Sequence, residues 1–258
     1  MAGWRKFPHP DKAYEYEGTA LRKAWPRLHR GDCEDYPPGA KLQDAWRAYH
    51  RGDFEESFSL GLALGDAGIN VANKAQIIYA TYLEDNEKKR LGLFEEAARR
   101  AESYAARAKT DANGYYFQAL ALGRYSQGIS VVTALAQGLG GKIHAALEHA
   151  VELNSKHADA HIALGAYHAE VIDKVGASLG NLAYGATRDK GVLHFERALK
   201  LNPDSAIARI EYANGLVMLF GKSKMDKAIA LYEEAAVCTP ADAMERLDIE
   251  LAKSELEE

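Results

Sequence analysis

Five of the nine histidines of this chain lie between positions 144 and 168: His144, His149, His157, His161 and His168. His157 and His161 stand one helical turn apart, a spacing at which two imidazoles can share a metal ion. No glutamate follows the first of them and no cysteine supports the pair, so the metal-hydrolase pattern is incomplete. The simpler reading is a set of histidines partly buried at a helix interface, their ring nitrogens hydrogen-bonded to neighbours. Gly138-Leu139-Gly140-Gly141-Lys142 is glycine-rich, but it lacks the Walker spacing and does not follow a strand. Gly176-Ala-Ser-Leu-Gly180 places two small residues four apart, which allows close helix crossing or self-association. No order of Ser, His and Asp, no carboxylate pair and no Cys/His couple stands out for nucleophilic or acid–base work. The expectation is a protein that is not an enzyme, with no catalytic residue, no metal and no cofactor.

The elements that carry these residues follow a recurring spacing. Ile143, Leu147, Ala150 and Ser155 stand at steps of four, three and five. Gly191, Phe195, Ala198 and Pro203 repeat the steps, and Ala228, Tyr232, Ala235 and Pro240 repeat them again. A small or apolar residue, a bulky one a turn later, a small one where a neighbouring helix comes close, then a stop: this is the second helix of a helix-hairpin unit. Phe195-Glu-Arg-Ala-Leu-Lys-Leu-Asn-Pro203 and Ala228-Ile-Ala-Leu-Tyr-Glu-Glu-Ala-Ala236 carry it most clearly. The pattern resembles the tetratricopeptide repeat, whose period is about 34 residues. The resemblance covers about residues 41–240. It implies an all-α, right-handed superhelical array of helix hairpins whose first helices line a concave surface.

The middle of the chain departs from an ordinary repeat. Leu122-Gly123-Arg124-Tyr125 and Leu164-Gly165-Ala166-Tyr167 are 42 residues apart, and each resembles the leucine–glycine signature of a first repeat helix. In that signature the glycine lets the partner helix pack closely. Leu122 and Ile143 are then separated by 21 residues, and Leu164 and Gly191 by 27, so both units hold an insert. The inserts read as continuations of the first helix. Leu164, His168, Val171, Val175, Leu179 and Leu182 fall on one broad stripe, and the earlier insert is apolar almost all round. We expect extended central helices whose arms, Ile129 to Leu139 and Val171 to Leu182, pack on each other and complete a dimer contact or an apolar pocket. Such an arm after this signature resembles a narrower set, which contains the regulator of microtubule dynamics proteins and the TatT component associated with tripartite periplasmic transporters. That resemblance implies a partner solute receptor and an apolar pore.

The termini read as caps on a single domain, residues 1–258. Residues 1–40 hold five of the seven prolines and six large aromatic residues. They predict one helix from Asp11 to Trp25, ended by Pro26, packed over the first repeat. Residues 41–240 are the repeats. Residues 241–258 predict a solvent-facing C-terminal capping helix with Met244, Leu247 and Leu251 inward.

Composition narrows the partner. The chain is 47% hydrophobic, with a net charge of −5. No long Lys/Arg run supplies the cationic surface that nucleic acid needs. Cys33 and Cys238 lie far apart in sequence, which favours a reducing compartment over a disulfide framework. No leader-like N-terminus and no membrane span are apparent, so the expected location is the cytoplasm, or the periplasm if an export leader has been removed. The repeat positions put Arg124, Gln127, Asp159, Ile162 and Glu170 on the concave surface, facing a protein or peptide partner. The alternative is a small apolar ligand held between the arms by Tyr125, Tyr167 and His168, or a homo-oligomer joined through the arms.

Overall fold

The computed structural model describes residues 3–257. Among them are fourteen α-helices, three short 3-10 turns and no strand. The helices are α1 (Ala20–Leu28), α2 (Ala40–Arg51), α3 (Phe54–Ala63), α4 (Ile69–Tyr82), α5 (Glu87–Ala105), α6 (Ala112–Gln127) and α7 (Val131–Ala136). They continue with α8 (Leu139–Leu153), α9 (Ala158–Val175), α10 (Ala177–Tyr184), α11 (Arg188–Leu201), α12 (Ala206–Phe220), α13 (Met225–Ala236) and α14 (Ala243–Glu257). Polar side chains set many of the starts. Asn86, Asp111, Ser130, Thr187 and Ser205 each accept a hydrogen bond from a backbone N–H in the first turn of the following helix, which relieves one of the four donors that a helix leaves free. At the start of α9 the cap is a histidine: His157 Nδ1 accepts from the Ala160 N–H at 3.0 Å.

Consecutive helices pack as antiparallel pairs, which gives the all-α array of repeat hairpins. The outer layer is α3, α5, α8, α11 and α13. The inner layer is α2, α4, α6, α9, α12 and α14, and each of these touches the next. Helix α14 then touches α2, so the inner layer closes into a ring. Glycine at two inner positions makes the pairing close. The Phe195 ring of α11 lies against Gly165 of α9 on one side and Gly215 of α12 on the other, and it stacks on Tyr212 at 5.1 Å. This is the packing that the recurrent spacing predicts for the last two units. Ala198 and Ala235, at the small position of that spacing, are fully buried. Gly123 does something else: no neighbouring heavy atom lies within 4 Å of where its Cβ would be, and it faces a cavity.

The ring is closed by polar contacts as well as by packing. Tyr16 Oη donates to the Ala241 carbonyl at 2.6 Å. Arg27 forms a two-point ion pair with Glu245, at 2.5 and 2.9 Å. His50 Nδ1 lies 2.8 Å from Asp242, and its Nε2 lies 3.3 Å from His29 Nε2. His29 Nδ1 meets Asp32 at 2.9 Å, and the Lys74 ammonium donates to Asp32 at 2.6 Å. All of His29, Asp32, His50, Lys74 and Asp242 are buried. Apolar contacts follow the same seam, since Phe7, Tyr14, Trp25, Trp46 and Tyr49 share one core cluster with Ala243 and Leu247.

Four expectations need correction. The N-terminal helix is not Asp11 to Trp25: a 3-10 turn occupies Lys12–Tyr14 and α1 starts at Ala20. Pro26 lies inside α1, where its ring removes one N–H while Leu21, Trp25 and Leu28 anchor the helix by burial. The arms are not continuous with the helices before them. Helix α6 stops at Gln127 and Ser130 caps a separate α7. Helix α9 does run on, over 18 residues, but Gly176 breaks it at φ +84°, a value that glycine tolerates and other residues resist. The break carries Leu179 and Leu182 away from the stripe, to 51% and 88% exposure. Nor do the arms pack on each other as a helix pair. Helix α7 packs on α8 and α10 on α9, and Tyr184 at the end of α10 reaches across to Gly140. Nor is α14 simply solvent-facing: it buries Ala243, Leu247, Asp248, Ile249 and Ala252.

The Gly165–Phe195 contact supplies a test. Alanine in a helix is ordinarily better than glycine by about 1 kcal/mol. A Cβ on residue 165 would lie 2.7 Å from the Phe195 ring, and overpacking of this kind costs about 1–3 kcal/mol. Gly165→Ala is therefore expected to lower the chemical-denaturation midpoint. A raised midpoint would contradict the packing described.

Candidate functional site

Closure of the inner layer leaves a cavity of about 210 Å³. Its wall is mostly apolar: Leu28 from α1, Ile77 and Ile78 from α4, Phe117 and Leu120 from α6, Ile143 and Leu147 from α8, and Ile162 and Ala163 from α9. The arms flank it. Val131, Ala134 and Leu135 of α7 line it from one side, and Val171, Val175 and Tyr184 from the other. Val131 and Leu135 are also 40% and 46% exposed, so the cavity reaches solvent at the arms.

The wall also carries eight charged side chains, and most are already paired. Arg124 donates to Glu211 at 2.9 Å; burial opposes its charge, yet Glu211 and other neighbours outweigh that and raise its pKa. Gln127 Nε2 donates to Glu170 at 2.6 Å, and Lys174 donates to the same carboxylate at 3.1 Å. Tyr82 Oη donates to the Asp248 carboxyl. Lys74 belongs to the wall and to the closing network at once. The Gly31 carbonyl accepts from the Asp159 backbone N–H at 3.0 Å, and Gly31 has no side chain to displace the Asp159 carboxyl against which it lies.

The five residues assigned from the repeat positions, Arg124, Gln127, Asp159, Ile162 and Glu170, all line this cavity. Of the three assigned to a pocket, Tyr167 lines it, while its hydroxyl donates to the Tyr184 carbonyl at 3.2 Å. Tyr125 and His168 do not line it. Tyr125 packs half-buried on the central core cluster. His168 points the other way, into the interface with α8 and α11, between the rings of His144 at 6.0 Å and His194 at 5.8 Å. The sequence reading missed Lys74, Tyr82, Glu211 and Asp248. They lie on three different inner helices, and no local pattern marks them.

Among the histidines of this region, His157 stands apart from a row formed by His144, His168, His194 and His161. His157 caps α9 and contacts the Asn113 side chain at 2.9 Å through Nε2. Burial drives its pKa down to about 4. His161 and His194 face each other, Nδ1 to Nδ1, at 2.9 Å. Burial, and then the neighbouring His194 and His144, hold His168 at about 3; burial and then His161 hold His194 at about 4. His144 stacks on Tyr167 at 4.7 Å, and His149 is solvent-facing beside Glu152. Among the described residues no three His, Cys, Asp or Glu side chains converge as a metal centre. His194 was not singled out in the sequence, although it lies 33 residues from His161, close to one repeat period.

Comparison with solved structures shows a likeness of fold. A thermophilic tetratricopeptide-repeat protein of Thermus thermophilus superposes with a TM-score of 0.58 at 20% identity, covering 83% of this chain and 97% of that one. The fold is that of a tetratricopeptide-repeat protein. No family model matches the chain, and no curated protein matches it by sequence. Within the tetratricopeptide-type array, the cavity lies on the side lined by first helices. Among the described residues no helix is long and apolar enough to cross a membrane.

The buried histidines make acid stability a test of the interface. His168 is neutral in the fold and titrates well below the ordinary value of 6.5. A histidine with a lowered folded pKa contributes stability that is complete above about 6.5 and is lost as pH falls toward the folded value. The thermal midpoint of His168→Gln should therefore fall less steeply than the parent's between pH 6.5 and pH 4, followed by circular dichroism. Parallel slopes would place His168 in solvent.

Proposed function

We propose that this chain is a non-catalytic binding protein of the tetratricopeptide-repeat type whose ring of first helices holds a small apolar guest. The fold supports an interaction scaffold in general. What favours an enclosed guest over an extended peptide is the position of Arg124, Gln127, Asp159, Ile162 and Glu170. In an open array they would face a groove; here they surround a cavity, because α14 and the N-terminal segment close the ring. Pockets for drug-sized ligands run from about 300 to 1,000 Å³, and 210 Å³ is smaller. The guest is then a short chain or a single ring. Each 100 Å² of its apolar surface removed from water favours binding by about 2.5 kcal/mol.

A second reading adds a protein partner at the arms. Val132, Leu179 and Leu182 are 77%, 51% and 88% exposed on the two segments that flank the opening. Apolar residues gathered at one end of a molecule mark interaction surfaces more often than residues scattered singly. A protein docked there, or a second copy of the chain, would cover the opening and control access to the guest.

The guest reading is tested with 4-(dimethylamino)benzonitrile, a neutral single-ring probe that brightens in apolar surroundings. The purified chain should enhance its fluorescence with saturable binding. Ala163→Trp, which fills the wall of the cavity, should abolish the enhancement while the helical spectrum is kept. Undiminished binding in that variant would mean that the probe, and the proposed guest, sit elsewhere.

A further inference from the structure

The polar groups of the cavity do not balance. Its carboxylates are Asp159, Glu170, Glu211, Glu245 and Asp248, against the cations Lys74, Arg124 and Lys174. Four ion pairs account for most of these. Glu170 has Lys174, Glu211 has Arg124, Glu245 has Arg27 from outside the wall, and Lys74 is taken by Asp32. Two acids are left over. Asp248 is buried and receives only the Tyr82 hydroxyl. Asp159 makes no side-chain hydrogen bond; its carboxyl feels Lys74, Asp32 and Glu245 only at longer range.

A second, independent group points the same way. Asn202, in the turn between α11 and α12, is 6% exposed and lines the cavity, and its Oδ1 is buried with no hydrogen-bond partner. The loop after α1 contacts the surroundings of both Asn202 and Asp159. Gly31 accepts the Asp159 backbone N–H, and the adjacent Arg30 pairs with Asp204, two residues beyond Asn202, at 2.6 Å. A buried acceptor left without a donor is unfavourable, and an uncompensated carboxylate is more so. The missing complement is a donor with positive charge.

Building on the apolar-guest reading, we propose that the guest is a small amphipathic amine, its apolar body inside the ring and its ammonium against Asp159 and Asn202. An ammonium supplies three donors and one charge, enough for the carboxyl, the amide oxygen and one further acceptor such as a backbone carbonyl. The titration behaviour of the two acids agrees. Burial, partly offset by Lys74 and reinforced by Asp32 and Glu245, raises Asp159 to about 7. Burial, opposed by the Tyr82 hydroxyl and reinforced by Glu245, Asp242 and Asp159, raises Asp248 to about 8. Without a counter-charge these acids retain protons near neutral pH, and a bound cation would release them.

Isothermal titration of the full-length protein with octylamine, octanol and octanoate separates head group from tail. Octylamine should bind at least about tenfold tighter than octanol, as expected for a hydrogen bond to a charged group, and octanoate should bind weaker than both. Asp159→Asn should remove the amine's advantage, so that octylamine and octanol bind the variant with similar affinity. In buffers of different ionisation enthalpy at pH 7, octylamine binding to the unaltered chain should release protons and octanol binding should not; this arm stands even if the variant fails to fold. Equal affinity of amine and alcohol, with no proton release, would overturn the head-group proposal and leave the apolar guest standing. Failure of all three compounds, together with failure of the neutral probe, would remove the guest reading itself.

Discussion

The Asp32 carboxylate buried against the Lys74 ammonium is the contact on which the rest of the molecule depends. Both groups are out of water, and removing one partner of such a pair costs about 3–5 kcal/mol because the other is left charged and unsolvated. Burial alone would raise the Asp32 pKa, but His29 and Lys74 outweigh it and hold the carboxyl well below the usual range. From this pair the polar chain runs through His29 and His50 to Asp242. Its members come from the loop after α1, from α2, from α4 and from the segment before α14. Separating the two ends of the array would strand these groups.

Closure changes what a repeat array can do. In an open solenoid each unit touches its neighbours alone, and the terminal units fray most readily. Here the first and last inner helices share a core, so the ends support each other. The concave face becomes a pocket bounded by the inner helices and open at the arms. Its apolar wall is built from the inner helices, and the arms shape the opening. The break at Gly176 keeps α10 off the line of α9, which leaves room beside Val171 and Val175 and turns Leu179 and Leu182 outward.

The sequence carried what depends on local spacing and missed what depends on distance along the chain. The small–bulky–small steps around Gly191, Phe195 and Ala198 identified the repeat fold, because their spacing is imposed by the neighbouring helix. Matching repeat positions on the first helices named Arg124, Gln127, Asp159, Ile162 and Glu170, all of which line the cavity. Ring closure was not legible: His50 and Asp242 are separated by 192 residues, and neither sits in a motif. The helix breaks were missed for a different reason. Apolar periodicity continues through Gly176, so the stripe persists on a wheel while the backbone turns. Pro26 misled in the opposite sense, since burial of Leu21, Trp25 and Leu28 outweighs the loss of one helical hydrogen bond.

Native-state hydrogen exchange resolved along α14 tests the closed ring most directly. If α14 is locked between α12, α13 and α2, the amides of residues 243–252 should exchange as slowly as those of α4, through an opening that approaches global unfolding. Fast exchange across α14, with α4 and α12 still protected, would show an array that is open at its C-terminal end and would contradict the enclosed cavity.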